Sequence, residues 1–132
     1  MRKRIILFAL LGLCQAACAV ELEPYSSSKI QVAQWNEYHA SVKKELAKGR
    51  GSFKYEAGEL ETYSDPKSRL TISFTTPGHE AHPAWVTTRV VVEGKKITVE
   101  VVGYYAGNER AYEDFYRRMD EMAERTLKSI GQ

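Results

Sequence analysis

The sequence predicts an α+β fold, a two-layer sandwich in the order α-β-β-β-β-α. Its four-stranded antiparallel sheet carries an N-terminal and a C-terminal helix on one face. Three observations predict it. Apolar residues at spacings of three and four mark one helix before Gly49 and another after Asn108. Between them, apolar and polar residues alternate with period two. Gly94-Lys95 joins the two longest alternating stretches as a tight hairpin.

The chain opens on a different kind of segment. Met1-Arg2-Lys3-Arg4 is basic, Ile5 to Leu13 is an apolar run of nine residues, and Ala17-Cys18-Ala19 reads as an A-x-A cleavage site. The apolar run falls short of the roughly 20 residues that span a bilayer. Residues 1–19 therefore read as a secretory signal peptide cleaved near Ala19, with periplasmic or secreted localisation and no transmembrane segment after cleavage. The rival reading is lipid anchoring at Cys18, which Gln15 fits poorly because an aliphatic residue is usual there.

The leader also carries what looks like basicity. The full chain has 19 basic and 17 acidic residues; without Arg2, Lys3 and Arg4 the balance is 16 against 17, a net charge of −1. Such a chain offers no electrostatic argument for a nucleic-acid partner. Cys14 and Cys18 both lie before the cleavage site, so no disulfide and no thiol nucleophile is expected afterwards.

Residues 20–28 read as a polar, flexible lead-in, and residues 29–132 as one domain. Ser28 and Gln31 have capping-box spacing, and Val32, Trp35, Tyr38, Val42 and Leu46 form one helical stripe to about Lys48. Gly49 and Gly51 end it. Residues 49–58 read as a loop in which Phe53-Lys54-Tyr55 could extend. Glu59–Tyr63 and Arg69–Thr75 flank a turn at Ser64-Asp65-Pro66-Lys67-Ser68.

The hairpin Trp85–Glu93/Lys96–Tyr105 has paired residue numbers that sum to 189. Val90 then faces Val99 and Thr88 faces Val101; on the other side Arg89 faces Glu100 and Trp85 faces Tyr104, each pair worth about 0.2–1 kcal/mol. Asn108 caps the last helix, whose stripe runs from Tyr112 to Ile130. Both helices are expected over Leu70, Ile72, Phe74, Val90, Val92, Ile97, Val99 and Val101. That leaves the other face open as a partner or homodimer surface.

The candidate site is the bend that enters the hairpin. His79-Glu80-Ala81-His82, braced by Pro77 and Pro83, sits beside Trp85 and Tyr104 at one end of the sheet. His79, His82, Trp85, Arg89, Glu100 and Tyr104 form the expected binding surface for an envelope protein or a small ligand. His79, Glu80 and His82 could hold zinc or copper if a third ligand such as His39 joined them. The spacing is one residue short of His-Glu-x-x-His, and the prolines oppose the helix that motif needs.

For hydrolysis, Glu59 and Glu61 lie at period two, and no serine sits in a Gly-x-Ser-x-Gly elbow. Gly103 and Gly107 follow no phosphate-loop spacing and read as close packing at the strand exit. These residues point to an exported, non-catalytic binding or accessory protein of the bacterial envelope, with no cofactor. The alternatives are a periplasmic metal-binding protein and a small hydrolase.

Overall fold

The computed structural model describes residues 2–3, 20–47 and 53–130. Six strands form one sheet in the order β1-β6-β5-β4-β3-β2, every neighbouring pair antiparallel. They are β1 (Arg2–Lys3), β2 (Phe53–Ala57), β3 (Leu60–Asp65), β4 (Leu70–Thr75), β5 (Ala84–Glu93) and β6 (Lys96–Tyr105), with α1 (Val32–Ala47) and α2 (Glu109–Ile130). The predicted strands β3 to β6 stand between the two helices, so the fold is α+β with an open antiparallel sheet. Among the described residues no helix is long and apolar enough to cross a membrane.

The hairpin keeps its expected register. Trp85 pairs with Tyr104, Arg89 with Glu100, Val90 with Val99 and Val92 with Ile97, around Gly94 at φ 61°. The β3–β4 turn is closed by Asp65, whose carboxylate accepts bonds from the Lys67 N–H and the Ser68 hydroxyl. Gly58, at φ 64°, turns β2 into β3, so the extended piece at Phe53 becomes a full edge strand.

Helix α1 starts at Val32, the first residue of its stripe, three residues later than the Lys29 start that the Ser28 capping box predicts. Ser28 and Ile30 are instead bonded to the backbone of Tyr105, extended along the end of β6. The cap shifts with it: the Gln31 carbonyl accepts the Gln34 and Trp35 N–H groups, and the Gln34 side chain reaches back to the Gln31 N–H. The expected helix stop at Gly49 and Gly51 lies outside the described residues. Helix α2 starts as predicted, with Asn108 Oδ1 accepting the Ala111 N–H.

The layering departs from the expectation. The helices cover opposite faces, giving three layers in place of two. Trp35, Tyr38 and Val42 of α1 pack on Leu70, Ile72, Phe74 and Trp85, whereas Tyr112, Phe115, Tyr116 and Ala123 of α2 pack on Val86, Val99 and Val101. The cause is the β4–β5 register, in which Ile72 pairs with Thr87 and Ser73 with Val86. The apolar side of β4 thus joins the Trp85 side of the hairpin, away from the valines. Each face is then part apolar, and each needs its own helix.

The lead-in is not a free tether. Val20 is buried, Leu22 and Tyr25 pack on the α1-side core, and the Tyr38 hydroxyl donates to the Glu21 carbonyl at 2.6 Å. At the far end of the hairpin Val92, expected in the core, is 44% exposed.

Candidate functional site

The two histidines of the bend serve the fold locally. His79 Nδ1 accepts the Ala81 N–H at 3.0 Å, and its ring meets the edge of Phe115 below α2. His82 Nδ1 lies 2.9 Å from the Thr75 hydroxyl, and its ring meets Trp35 below α1. The same Thr75 hydroxyl donates to the Ala84 carbonyl and accepts the Ala84 N–H, tying both ends of the bend together. The His82–Pro83 peptide is cis. The imidazoles therefore lean toward opposite faces of the sheet.

The third proposed ligand is engaged elsewhere. His39 Nε2 pairs with Glu61 Oε1, and its ring stacks on Trp35 at 4.9 Å. Among the described residues no group of three His, Cys, Asp or Glu side chains is arranged to hold a metal ion. The Glu59–Glu61 carboxylates are also parted: Glu61 faces His39, while Glu59, in the turn, sits against Gly78 and draws the His79 pKa upward. Burial has the larger effect on His79 and holds its pKa below the ordinary 6.5.

The aromatic patch expected at the sheet end is interior. Trp85 is fully buried, stacked on Tyr38 at 4.2 Å and flanked by Tyr104 and Phe74. Tyr104 is covered by the lead-in, and its hydroxyl donates to the Tyr25 carbonyl. Arg89 and Glu100 form the cross-strand ion pair read from the register, with Glu100 nearly buried and Arg89 one-third exposed. Trp85 and Tyr104 thus cannot present a surface, and the open face they were assigned to lies beneath α1.

The concave feature lies on the other side of the sheet. A cavity of about 350 Å³ opens between the C-terminal half of α2 and strands β3 to β6. Its origin is a mismatch of side-chain size. Tyr112, Phe115 and Tyr116 fill the space beneath the first half of α2. Farther on, the helix passes over Thr62, Thr71, Ser73 and Thr88, which are too short to reach it.

Met119, Met122, Ala123 and Thr126 form the roof, and Leu60, Val90 and Val99 complete an apolar wall. On the floor Thr62 Oγ1 and Ser73 Oγ bond each other at 3.0 Å. Arg69 stands at the mouth at φ 55°, and among the described residues its guanidinium forms no ion pair. The arrangement offers flexible thioethers above, hydroxyls below and one cation at the rim.

None of these lining residues was among the candidates from sequence. The signal lay in the period-two alternation of β4: Thr71 and Ser73 belong to the face expected to be open, and they are the floor beneath Met119 and Met122. Comparison with known proteins finds no match to a family model, a curated protein or a solved structure.

Proposed function

We infer that the protein is an exported, non-catalytic binding protein of the bacterial envelope, and that its ligand is a small, mostly apolar molecule bearing one anionic group. The cavity beneath α2 carries this reading. Its volume of about 350 Å³ falls within the roughly 300–1,000 Å³ common for small-molecule sites. Its apolar walls favour a hydrocarbon or aromatic body, and its methionines can repack around different shapes. Arg69 at the mouth favours a carboxylate or sulfonate over a neutral head. The floor hydroxyls accept or donate a single hydrogen bond without demanding a charge.

The test is a titration with 8-anilino-1-naphthalenesulfonate, an apolar fluorophore with an anionic head, followed by competition with decanoate and decanol. Saturable binding is expected, displaced by decanoate at lower concentration than by decanol. Ala123→Trp, which fills the cavity from its roof, should abolish binding. Arg69→Asn, which keeps the left-handed backbone accessible, should remove the preference for decanoate. Binding unchanged in the Ala123→Trp protein would overturn the reading.

A further inference from the structure

The geometry points to an edge-to-edge homodimer, in which strand β6 pairs antiparallel with β6 of a second copy once the leader has been removed. The leader strand β1 holds that edge closed beforehand.

Strand β6 has β5 on one side along its whole length, with all ten residues paired. On its other side the described residues supply only local cover. Arg2 and Lys3 pair with Val102 and Val101, and residues 28–30 run alongside Tyr105. The pairing of Arg2–Lys3 demonstrates that this edge accepts an antiparallel strand. The outward groups can be assigned from Tyr105, whose N–H donates to the Ser28 carbonyl and whose carbonyl accepts the Ile30 N–H. With period two along a strand, the backbone groups of Val101, Val99 and Ile97 point outward as well.

Without the leader, such a row of outward groups is a template for another strand. The sequence there identifies which one. Lys96-Ile97-Thr98-Val99-Glu100 is complementary to itself when reversed. Pairing about a two-fold axis at Thr98 sets Lys96 opposite Glu100 of the copy twice over, and Ile97 opposite Val99 twice over. The outward-pointing Ile97 and Val99 become the hydrogen-bonded pair, as the ladder requires. Opposite charges and β-branched pairs directly across an edge favour this register. A two-fold axis makes the contact isologous and closed.

The same register explains how the leader acts. A copy docked about Thr98 places its Gly94 opposite Val102 and its Lys95 opposite Val101, the two positions that Arg2 and Lys3 occupy. Leader and second copy therefore exclude each other. Among the described residues every member of the two core clusters lies at or after Val20, so the leaderless chain keeps both clusters.

The experiment compares the unprocessed chain with the chain from Val20 to Gln132 by sedimentation over a range of concentrations. The unprocessed chain should remain at monomer mass, and the leaderless chain should rise toward twice that mass. In the leaderless background Lys96→Glu, at an exposed position, places like charges together and should return the protein to monomer. Ile97→Pro, which removes an outward N–H only, should do the same.

Thr98→Cys then reports the register. A non-hydrogen-bonded pair on the axis brings the Cα atoms to about 4.5 Å, within disulfide range. With diamide as oxidant, this variant should cross-link and the exposed Val92→Cys should not. A leaderless chain that stays monomeric overturns the proposal. So does a dimer in both chains, or a dimer indifferent to Lys96→Glu and Ile97→Pro.

Discussion

His79 and His82, three residues apart in one bend, turn to opposite sides of the sheet, His79 to Phe115 of α2 and His82 to Trp35 of α1. Each has its Nδ1 engaged within the bend. A metal shared between them would have to draw both rings out of their packing. Zinc or copper is accordingly expected to give no saturable rise in melting temperature of the leaderless protein. Thermal scans with increasing zinc check this. A rise that disappears in the His79→Ala, His82→Ala double variant would restore the metal reading.

The environment of His79 also sets a pH dependence. Burial lowers its pKa below the ordinary 6.5, with Arg118 acting in the same direction and Glu59 against both. The fold therefore favours the neutral ring, whose Nδ1 must stay unprotonated to accept the Ala81 N–H. A folded-state pKa below the unfolded one contributes stability that is full above 6.5 and is lost as pH falls through the lower value. His79→Asn keeps an acceptor but does not titrate. Its urea midpoint should fall less than that of the parent between about pH 7 and about pH 5, and parallel curves would remove His79 as a source.

Burial of Trp85 predicts the largest single-residue loss. The indole is fully enclosed by Tyr38, Phe74 and Tyr104. Trp85→Ala should cost about 3–5 kcal/mol by loss of transfer energy and creation of a cavity. Val92→Ala, at a side chain 44% exposed, should cost within about 0.5 kcal/mol. Equilibrium urea unfolding of both variants measures the contrast. Equal losses would mean that Trp85 is not the centre of the α1-side core.

These contrasts show where the fold was legible. The β5–β6 register followed from a two-residue loop, because Gly94-Lys95 leaves no freedom in how Arg89 meets Glu100 or Trp85 meets Tyr104. The β4–β5 register did not, because eight residues separate Thr75 from Ala84 and any of several offsets closes such a loop. That one offset decides whether Ile72 lies with Val86 or with Thr87, and hence whether one helix or two must cover the sheet. Trp85, Val91, Val102 and Tyr104 make the second hairpin face part apolar, which by sequence fits a partner surface as well as a second core; α1 makes it a core. The cavity was legible only in part: the period-two run through Thr71 and Ser73 marks a face of short side chains, but the path of α2 across Thr62, Thr71, Ser73 and Thr88 has no signature in spacing.

Gly107 offers the sharpest test of the bend as a shaped connection. A Cβ built there would stand 2.5 Å from the His82 carbonyl oxygen, 3.0 Å from its carbon and 3.2 Å from the Ala81 oxygen. All three are backbone atoms, and the Ala106 N–H bonded to the Pro83 carbonyl holds that segment against the exit of β6. The segment cannot withdraw without breaking this bond and moving the buried Ala84. Gly103 differs, since a Cβ there meets side-chain atoms, the Tyr112 hydroxyl and, at 2.9 Å, Tyr116 Cδ2.

Yet Tyr112 has little room to yield: it stacks on Tyr105 at 4.5 Å, and burial pushes its phenol well above the ordinary value, so it stays neutral. Gly107→Ala and Gly103→Ala should each lose about 1–3 kcal/mol through overpacking. Gly107→Ala should in addition disturb the NMR signals of His82 and Trp35. Gly58→Asn, at φ 64° in open space, keeps a tolerated left-handed residue and should leave the urea midpoint nearly unchanged. A Gly107→Ala protein as stable as the Gly58→Asn protein would show that the bend does not rest on the exit of β6.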